Sequence, residues 1–131
     1  MLSAHTEQSL REKFRFLAHL SPEDLGQLLV NSQLLQLPPG TRVFDERASC
    51  SSFPLVLEGS IRVSKVAPSG REIVLYHVTQ GASCIVTSSC LLGQCDYNAT
   101  GETETEVTLV ALPRSTFESL MANDREFRRF V

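Results

Sequence analysis

The chain has 131 residues, 42% apolar and 21% charged, with 12 basic and 15 acidic side chains for a net charge of −3. That length suits one compact domain, which buries roughly two-thirds of the surface its unfolded chain would expose and needs neither a disulfide nor a metal to hold a core. Seven glycines and six prolines are ordinary numbers and exclude collagen-like and low-complexity chains. Apolar runs such as Ile73-Val74-Leu75-Tyr76 fall far short of the ~20 residues that span a bilayer. The start, Met1-Leu2-Ser3-Ala4-His5-Thr6-Glu7, has no basic segment followed by an apolar stretch, so it is not read as a secretory signal. The chain is expected in the cytoplasm, with no membrane contact. An acidic balance also does not suit a domain that grips a phosphate backbone unaided.

Residues 6–32 read as a helical hairpin. Leu10, Phe14, Leu17 and Leu20 recur at helical spacing and fall on one face. Ser21-Pro22-Glu23-Asp24 restarts a helix: Ser21 can cap the free amides, Pro22 suits the first helical position, and Asp24 stands where a capping box wants an acid. Leu25, Leu28 and Leu29 supply its apolar side.

Residues 33–112 read as all-β, because short apolar runs alternate with turn signals. The segment Leu34–Leu37 leads into Pro38-Pro39-Gly40; Val43-Phe44 and a polar stretch follow; Phe53–Leu57 ends at Glu58-Gly59. Ile61–Val66 alternates and should turn one face to water. Pro68-Ser69-Gly70 marks a hairpin turn, after which Ile73–Val78 is a continuous apolar strand. Gly81 interrupts it and Ser83–Thr87 resumes it. Residues 102–112 form one alternating strand, with Glu102, Glu104 and Glu106 outward before Val107, Leu109 and Ala111. Many short strands with frequent turns argue for a barrel or a double-sheet roll.

Residues 114–131 read as helical again. Pro113 stops the last strand, Ser115 with Glu118 forms a second capping-box pattern, and Asp124 caps a further helix carrying Phe127, Phe130 and Val131. Arg125, Arg128 and Arg129 form a solvated helix face. The fold class is therefore mainly β with flanking helices, in one domain over residues 1–131.

Several stretches resemble the cyclic-nucleotide-binding domain of Crp/Fnr transcription regulators, over about residues 8–131. Leu37-Pro38-Pro39-Gly40-Thr41 resembles that family's opening turn, and Phe53–Val63, with Glu58-Gly59-Ser60, its glycine-centred strand pair. Gly70–Leu75 resembles the next hairpin, Thr79-Gln80-Gly81 the approach to the phosphate cassette, and Phe127–Val131 the start of the dimer helix. The resemblance implies an eight-stranded jelly roll (a double-stranded β-helix) between an N-terminal helical hairpin and C-terminal helices. It also implies a sensor domain that is no enzyme, works as a homodimer, and meets DNA only through a helix-turn-helix domain that this chain does not contain.

The departures from the family bear on the ligand. Family members that bind cyclic nucleotides carry a Gly-Glu pair for the ribose and an arginine for the cyclic phosphate. Here the Gly-Glu place aligns with Ile85-Val86, and the arginine place with Asp96 or Tyr97. Between Glu72 and Pro113 there is no lysine or arginine, whereas Glu72, Asp96, Glu102, Glu104 and Glu106 are all acidic. A charge-assisted arginine–phosphate pair is thus missing, and a cyclic nucleotide is disfavoured, with binding through backbone amides left as the alternative.

Cys84, Cys90 and Cys95 cluster around the same segment. Their spacing matches neither a zinc ribbon nor a ferredoxin. Three readings stand: buried core residues, a thiol or disulfide switch, or ligands of a metal, an iron–sulfur cluster or a haem. Cys84 is placed on a strand, and Cys90 and Cys95 flank a loop at Leu91–Gln94. Cys50, between polar residues, reads as structural. His77, on the apolar strand, is either a buried hydrogen-bonded histidine or a ligand. Val86, Tyr97, Asn98 and His77 are the candidates to line or fill the pocket. The Asn98-Ala99-Thr100 sequon is read as chance. No Ser-His-Asp or paired-carboxylate arrangement suggests catalysis. A scaffold that only dimerises is the blandest alternative.

Overall fold

The computed structural model describes residues 1–93 and 96–131. Helix α1 (Ala4–Lys13) begins where Ser3 accepts a hydrogen bond from the Thr6 amide at 3.2 Å. It ends at Phe14, whose extended backbone splits the longer helix that the apolar spacing predicts, and a 3-10 turn follows over Arg15–His19. The stripe still buries, since Leu10, Phe14 and Leu17 are at most 1% exposed. Helix α2 (Pro22–Asn31) starts as expected, with Ser21 accepting from the Asp24 amide and Pro22 in the first turn.

Among the described residues seven strands follow: β1 (Gln33–Leu37), β2 (Arg42–Phe44), β3 (Ser52–Glu58), β4 (Ser60–Val66), β5 (Glu72–Thr79), β6 (Thr100–Thr103) and β7 (Val107–Pro113). They form two antiparallel sheets, in the orders β1-β7-β3 and β2-β6-β4-β5. This is the jelly roll that the sequence leads one to expect. Helix α3 (Ile85–Gly93) joins β5 to β6, and helices α4 (Arg114–Asn123) and α5 (Arg125–Phe130) close the chain. The turn from β3 to β4 depends on Gly59. Its φ is +92°, and a Cβ there would lie 2.9 Å from the Val107 side chain and closer still to the Glu106 carbonyl oxygen.

In the first sheet β3 and β7 are buried on both faces, whereas β1 is largely exposed. On one face, Phe53 of β3 meets Phe117 of α4 at 5.2 Å between ring centroids, and Phe127 of α5 packs on Phe117 at 5.7 Å and on Phe16 at 4.9 Å. Phe130 turns back onto Phe14 and Phe16. Alternation sends Pro54, Leu109 and Ala111 to the other face, where they line a cleft inside the roll.

Several expectations are corrected. Residues 83–87 are not a strand: the chain enters α3 at Ile85, and Cys84 lies just before it. The β-branched pair Ile85-Val86 favours strand locally, but packing and a hydrogen bond from the Val86 amide override that preference. Cys90 and Leu91–Gly93 are helical, so no loop begins at Leu91. Residues 102–112 are two strands in different sheets, separated at 104–106. A bulge between Val63 and Ser64 breaks the alternation of β4 and leaves Ser64 buried. Helix α4 opens at Arg114 after Pro113, so Ser115 lies inside it and caps nothing. Asp124 does cap α5, accepting from the Phe127 amide at 2.7 Å. Strand β5 is less buried than its composition suggests, with Ile73, Val74 and Leu75 nearly half exposed at a sheet edge.

The aromatic cluster at Phe53 predicts a sharp contrast in stability. Phe53→Ala is expected to lower the urea-unfolding free energy by about 3–5 kcal/mol, through lost burial and an unfilled cavity. Val66→Ala, at an exposed position, is expected to change it by less than about 0.5 kcal/mol.

Candidate functional site

The segment from β5 through α3 to β6 is where the candidate residues gather. Gly81 makes the sharp exit from β5: its φ is +79°, a Cβ would stand 3.0 Å from the Lys13 carbonyl oxygen, and its amide donates to the Val56 carbonyl. The next turn of chain becomes α3, whose first amides have no partner within the helix. Tyr76, on β5, reaches across so that its phenolic oxygen accepts from the Val86 amide at 2.8 Å. Ser88 donates its hydroxyl back to the Cys84 carbonyl at 3.0 Å.

Beneath the helix runs a chain of hydroxyl and thiol groups. Cys84 Sγ lies 3.8 Å from the Tyr76 hydroxyl and 3.0 Å from Thr87 Oγ1, which is 3.4 Å from the Tyr97 hydroxyl. Cys84 and Thr87 are fully buried. Burial pushes the Tyr76 phenol well above its ordinary range, with Cys84 adding to the effect. Burial also raises that of Tyr97, partly offset by its hydrogen bond with Thr87. Each group in the chain has a hydrogen-bonding neighbour, so the buried polar atoms are satisfied internally.

Tyr97 and Phe44 stack face to face at 4.3 Å with their planes 7° apart. Phe44 in turn lies over Gly101, where a Cβ would come within 2.6 Å of the ring. The glycine in β6 is therefore needed for the aromatic to fit. Beside this pair opens the cleft of about 210 Å³, lined by Leu35, Leu37, Val43, Leu109 and Ala111 among others. Arg42 at its rim is tied to Asp45 at 2.5 Å and Glu102 at 3.7 Å.

The cysteines divide differently from their clustering in sequence. Cys90, on α3, is joined by a disulfide to Cys50, in the loop before β3, with a Cα–Cα separation of 6.3 Å and normal reach for such a bond. Cys84 is a free thiol inside the hydroxyl chain, and the disulfide does not include it. Cys95 lies outside the described residues. Cys50, read from its polar neighbours as structural, is buried and bonded to a partner 40 residues away; that connectivity cannot be read from spacing. Arg114, the first residue of α4, escaped the sequence reading altogether. Its Nη2 donates to the Cys50 carbonyl at 2.9 Å and to Cys50 Sγ at 3.4 Å, and its amide donates to the Ser51 carbonyl.

Of the other candidates, Val86 is half-buried at the start of α3 and Tyr97 is buried in the stack, whereas Asn98 is exposed. His77 is neither buried nor near the pocket. It is on the solvent side of β5, with Nε2 3.0 Å from Glu104, which also meets Arg62 at 3.5 Å. Strand alternation explains this, since Val78 takes the inward position. Among the described residues no three His, Cys, Asp or Glu side chains gather as metal ligands would, and no helix is long and apolar enough to cross a membrane.

The Val86 amide is satisfied by Tyr76, and the place at which the resemblance expects an arginine is filled by the stacked ring of Tyr97 or by Asp96, neither of which supplies a cation. Ile85-Val86 offers no carboxylate for a ribose.

Comparison with known proteins agrees on the fold. No curated protein matches the chain by sequence. Among solved structures, the sensor domain of the transcriptional regulator DNR from Pseudomonas aeruginosa superposes with a TM-score of 0.79 at 19% identity, over 95% of this chain and 83% of that one. Against the longer DNR structure the values are 0.82 and 18%, and 98% of this chain spans 56% of that one, a little over half its length. The regulatory domain of Toxoplasma gondii PKA, solved with cAMP, gives 0.78 at 23% identity, covering 91% of this chain and 46% of that chain. The regulatory subunit of a cAMP-independent protein kinase A from Trypanosoma brucei gives 0.77 at 20%, covering 93% and 44%. The same roll therefore occurs in a protein solved with cAMP and in one described as independent of it. The family described as the cyclic nucleotide-binding domain matches residues 34–124, most of the roll and α4, and the chain belongs to that family.

Proposed function

We propose that the chain is the signal-sensing domain of a Crp/Fnr-like transcription regulator whose input is the thiol–disulfide state of Cys50 and Cys90 in place of a cyclic nucleotide. The observation that carries this reading is the disulfide itself, which ties the loop before β3 to α3, the segment at which the family holds its ligand. In a cytoplasmic protein disulfides are rare, and those that form are usually redox-sensing or catalytic. A bond closing a loop of about 40 residues removes enough freedom from the unfolded chain to stabilise the fold by about 4 kcal/mol, so its making and breaking is a large perturbation at this site. Cys84, expected to share in the switch, is held by Thr87 and Tyr76 instead.

The argument against a cyclic nucleotide is energetic. Burying a phosphate anion without a cation costs several kcal/mol, and the nearest guanidinium lining the cleft, Arg42, is already neutralised by two carboxylates. In the full regulator the sensor would work as a homodimer. It would pass its state through the C-terminal helices to a helix-turn-helix domain outside this chain, and it would perform no catalysis.

Peptide mapping without reductant should recover a Cys50–Cys90 cross-link. Dithiothreitol should lower the unfolding free energy by about 2–4 kcal/mol in the wild type and in Cys84→Ser, and leave Cys50→Ser and Cys90→Ser unmoved. In the full-length regulator Cys90→Ser should abolish the response to oxidant; a full response would sink the switch and leave the bond a structural staple.

Calorimetric titration with cyclic AMP and cyclic GMP should give no binding tighter than about 1 mM, which is about −4 kcal/mol. Micromolar heats would favour the alternative of capture by backbone amides.

Tyr76 and Tyr97 are the two tyrosines of a chain without tryptophan, so tyrosinate absorbance reports the hydroxyl chain directly. Both folded-state values are raised from 10.0, so the fold favours the neutral phenols. Their contribution is complete below pH 10 and is lost as pH climbs above it. Tyrosinate should appear only together with alkaline unfolding; a phenol titrating near pH 10 in the folded protein would contradict the buried arrangement.

A further inference from the structure

One sulfur of the disulfide, that of Cys50, has a cation beside it, and that contact assigns roles to the two. Cys90 sits on a helix whose residues carry no charge from Ile85 to Gly93. Cys50 is gripped by a cation: one guanidinium nitrogen of Arg114 lies 3.4 Å from its Sγ and 2.9 Å from its carbonyl oxygen. The Arg114 amide bonds the next carbonyl, Ser51, at 2.9 Å. Backbone and side chain of one residue thus hold the Cys50 segment against the start of α4. Among the described residues the guanidinium's carboxylate neighbour is Glu118, at 4.0 Å and largely exposed. The guanidinium charge is therefore left to act on the sulfur. The thiolate, not the thiol, is the nucleophile, and a neighbouring cation is what makes a cysteine thiolate at neutral pH.

Resting on the thiol reading above, we propose that Cys50 is the oxidant-reactive thiolate of this domain, activated by Arg114, and that Cys90 is the resolving thiol. The oxidant class is a hydroperoxide. The Cys50 thiolate attacks one peroxide oxygen, the O–O bond breaks, and the other oxygen leaves as alkoxide or hydroxide and takes a proton from water. Sulfur has then lost two electrons and the peroxide has gained them. Cys50 is now a sulfenic acid. The Cys90 sulfur attacks the Cys50 sulfur, the S–O bond breaks, and the Cys90 proton and the departing hydroxyl leave as water. The product is the Cys50–Cys90 disulfide. Cys50 is itself buried, and the Arg114 side chain, 35% exposed, connects it to solvent. Among the described residues the charged groups in contact here include Arg114 and Glu118 on α4; Asp45, Glu46 and Arg47 precede Cys50 on its own loop, and α3 carries no charge from Ile85 to Gly93.

The test starts from the chain reduced and then freed of reductant. In the double variant Cys90→Ser, Cys95→Ser, hydrogen peroxide with dimedone should label Cys50, read by peptide mass spectrometry. In Cys50→Ser it should leave Cys90 unlabelled. Iodoacetamide alkylation of Cys50, followed against pH, should have its midpoint raised by about one unit in Arg114→Gln, a roughly tenfold loss of rate at neutral pH. Arg114→Lys, which keeps the charge, should recover most of that rate and separates activation from a mere folding defect. A midpoint unchanged in Arg114→Gln, or dimedone on Cys90 and not on Cys50, would overturn the assignment while the switch itself stands. No cross-link in any oxidised sample would overturn both.

Discussion

The constraint on which this site depends is the start of α3, where Val86 lies half-buried between the buried Cys84 and Thr87. A helix laid against a roll brings its first amides out of water, and each must find an acceptor or cost free energy comparable to a lost hydrogen bond. The Val86 amide finds the phenol of Tyr76. That choice sets the rest. The phenol brings its own polarity into the interior, so the groups beside it must be able to share protons with it. Cys84, Thr87 and Tyr97 supply a continuous line of such groups. Tyr97 then needs an apolar partner for its ring, which Phe44 provides, and Phe44 needs room, which Gly101 provides. A region that resembles a place for an anion is here made of neutral side chains that complete one another.

Much of the fold was legible because its signals are local or periodic. Ser21-Pro22 set the start of α2, Gly70 a hairpin, Asp124 a cap, and the continuous apolar run from Phe53 to Leu57 a strand buried on both faces. The failures have a common cause. Ile85-Val86 reads as strand by propensity, and only Tyr76, nine residues upstream in the chain of Ile85, makes it helix. The strand from Ile73 to Val78 reads as core by composition, yet it lies at the sheet edge, where a run of apolar residues is half exposed. His77 was read with it, and the period of two sent that side chain outward to Glu104.

The cysteines show the limit more sharply. Clustering in sequence pointed to Cys84, Cys90 and Cys95, but proximity along a chain is a poor guide once one member enters a helix. A helix turns successive residues through 100° or so, so Cys90 faces the loop of Cys50 while Cys84, before the helix begins, faces the hydroxyl chain. Arg114 was invisible for the same reason. Nothing in Pro113-Arg114-Ser115 announces a contact with Cys50, because that contact is made by the pairing of Ser52 with Pro113 across β3 and β7.

That pairing also gives the disulfide a mechanical meaning. β3 and β7 are adjacent strands, so the residue before one and the residue after the other, Ser51 and Arg114, are brought together by the ladder itself. Cys50 is thereby two residues from the sheet on one side and bonded to α3 on the other, while Arg114 is both its neighbour and the first residue of α4. A change at the sulfur would, on the proposed reading, act on the three elements it touches: the loop, α3 and α4. Helix α4 packs against α2 and leads directly into α5, whose Phe127 sits in the aromatic core with Phe16, Phe53 and Phe117, so a shift of α4 would be carried to the C-terminal helices by close-packed rings. Such packing is poorly compressible and passes displacement on instead of absorbing it. On the proposed reading, thiol chemistry at Cys50 would thus reach the end of the chain through Arg114 and the packing of Phe117 on Phe127.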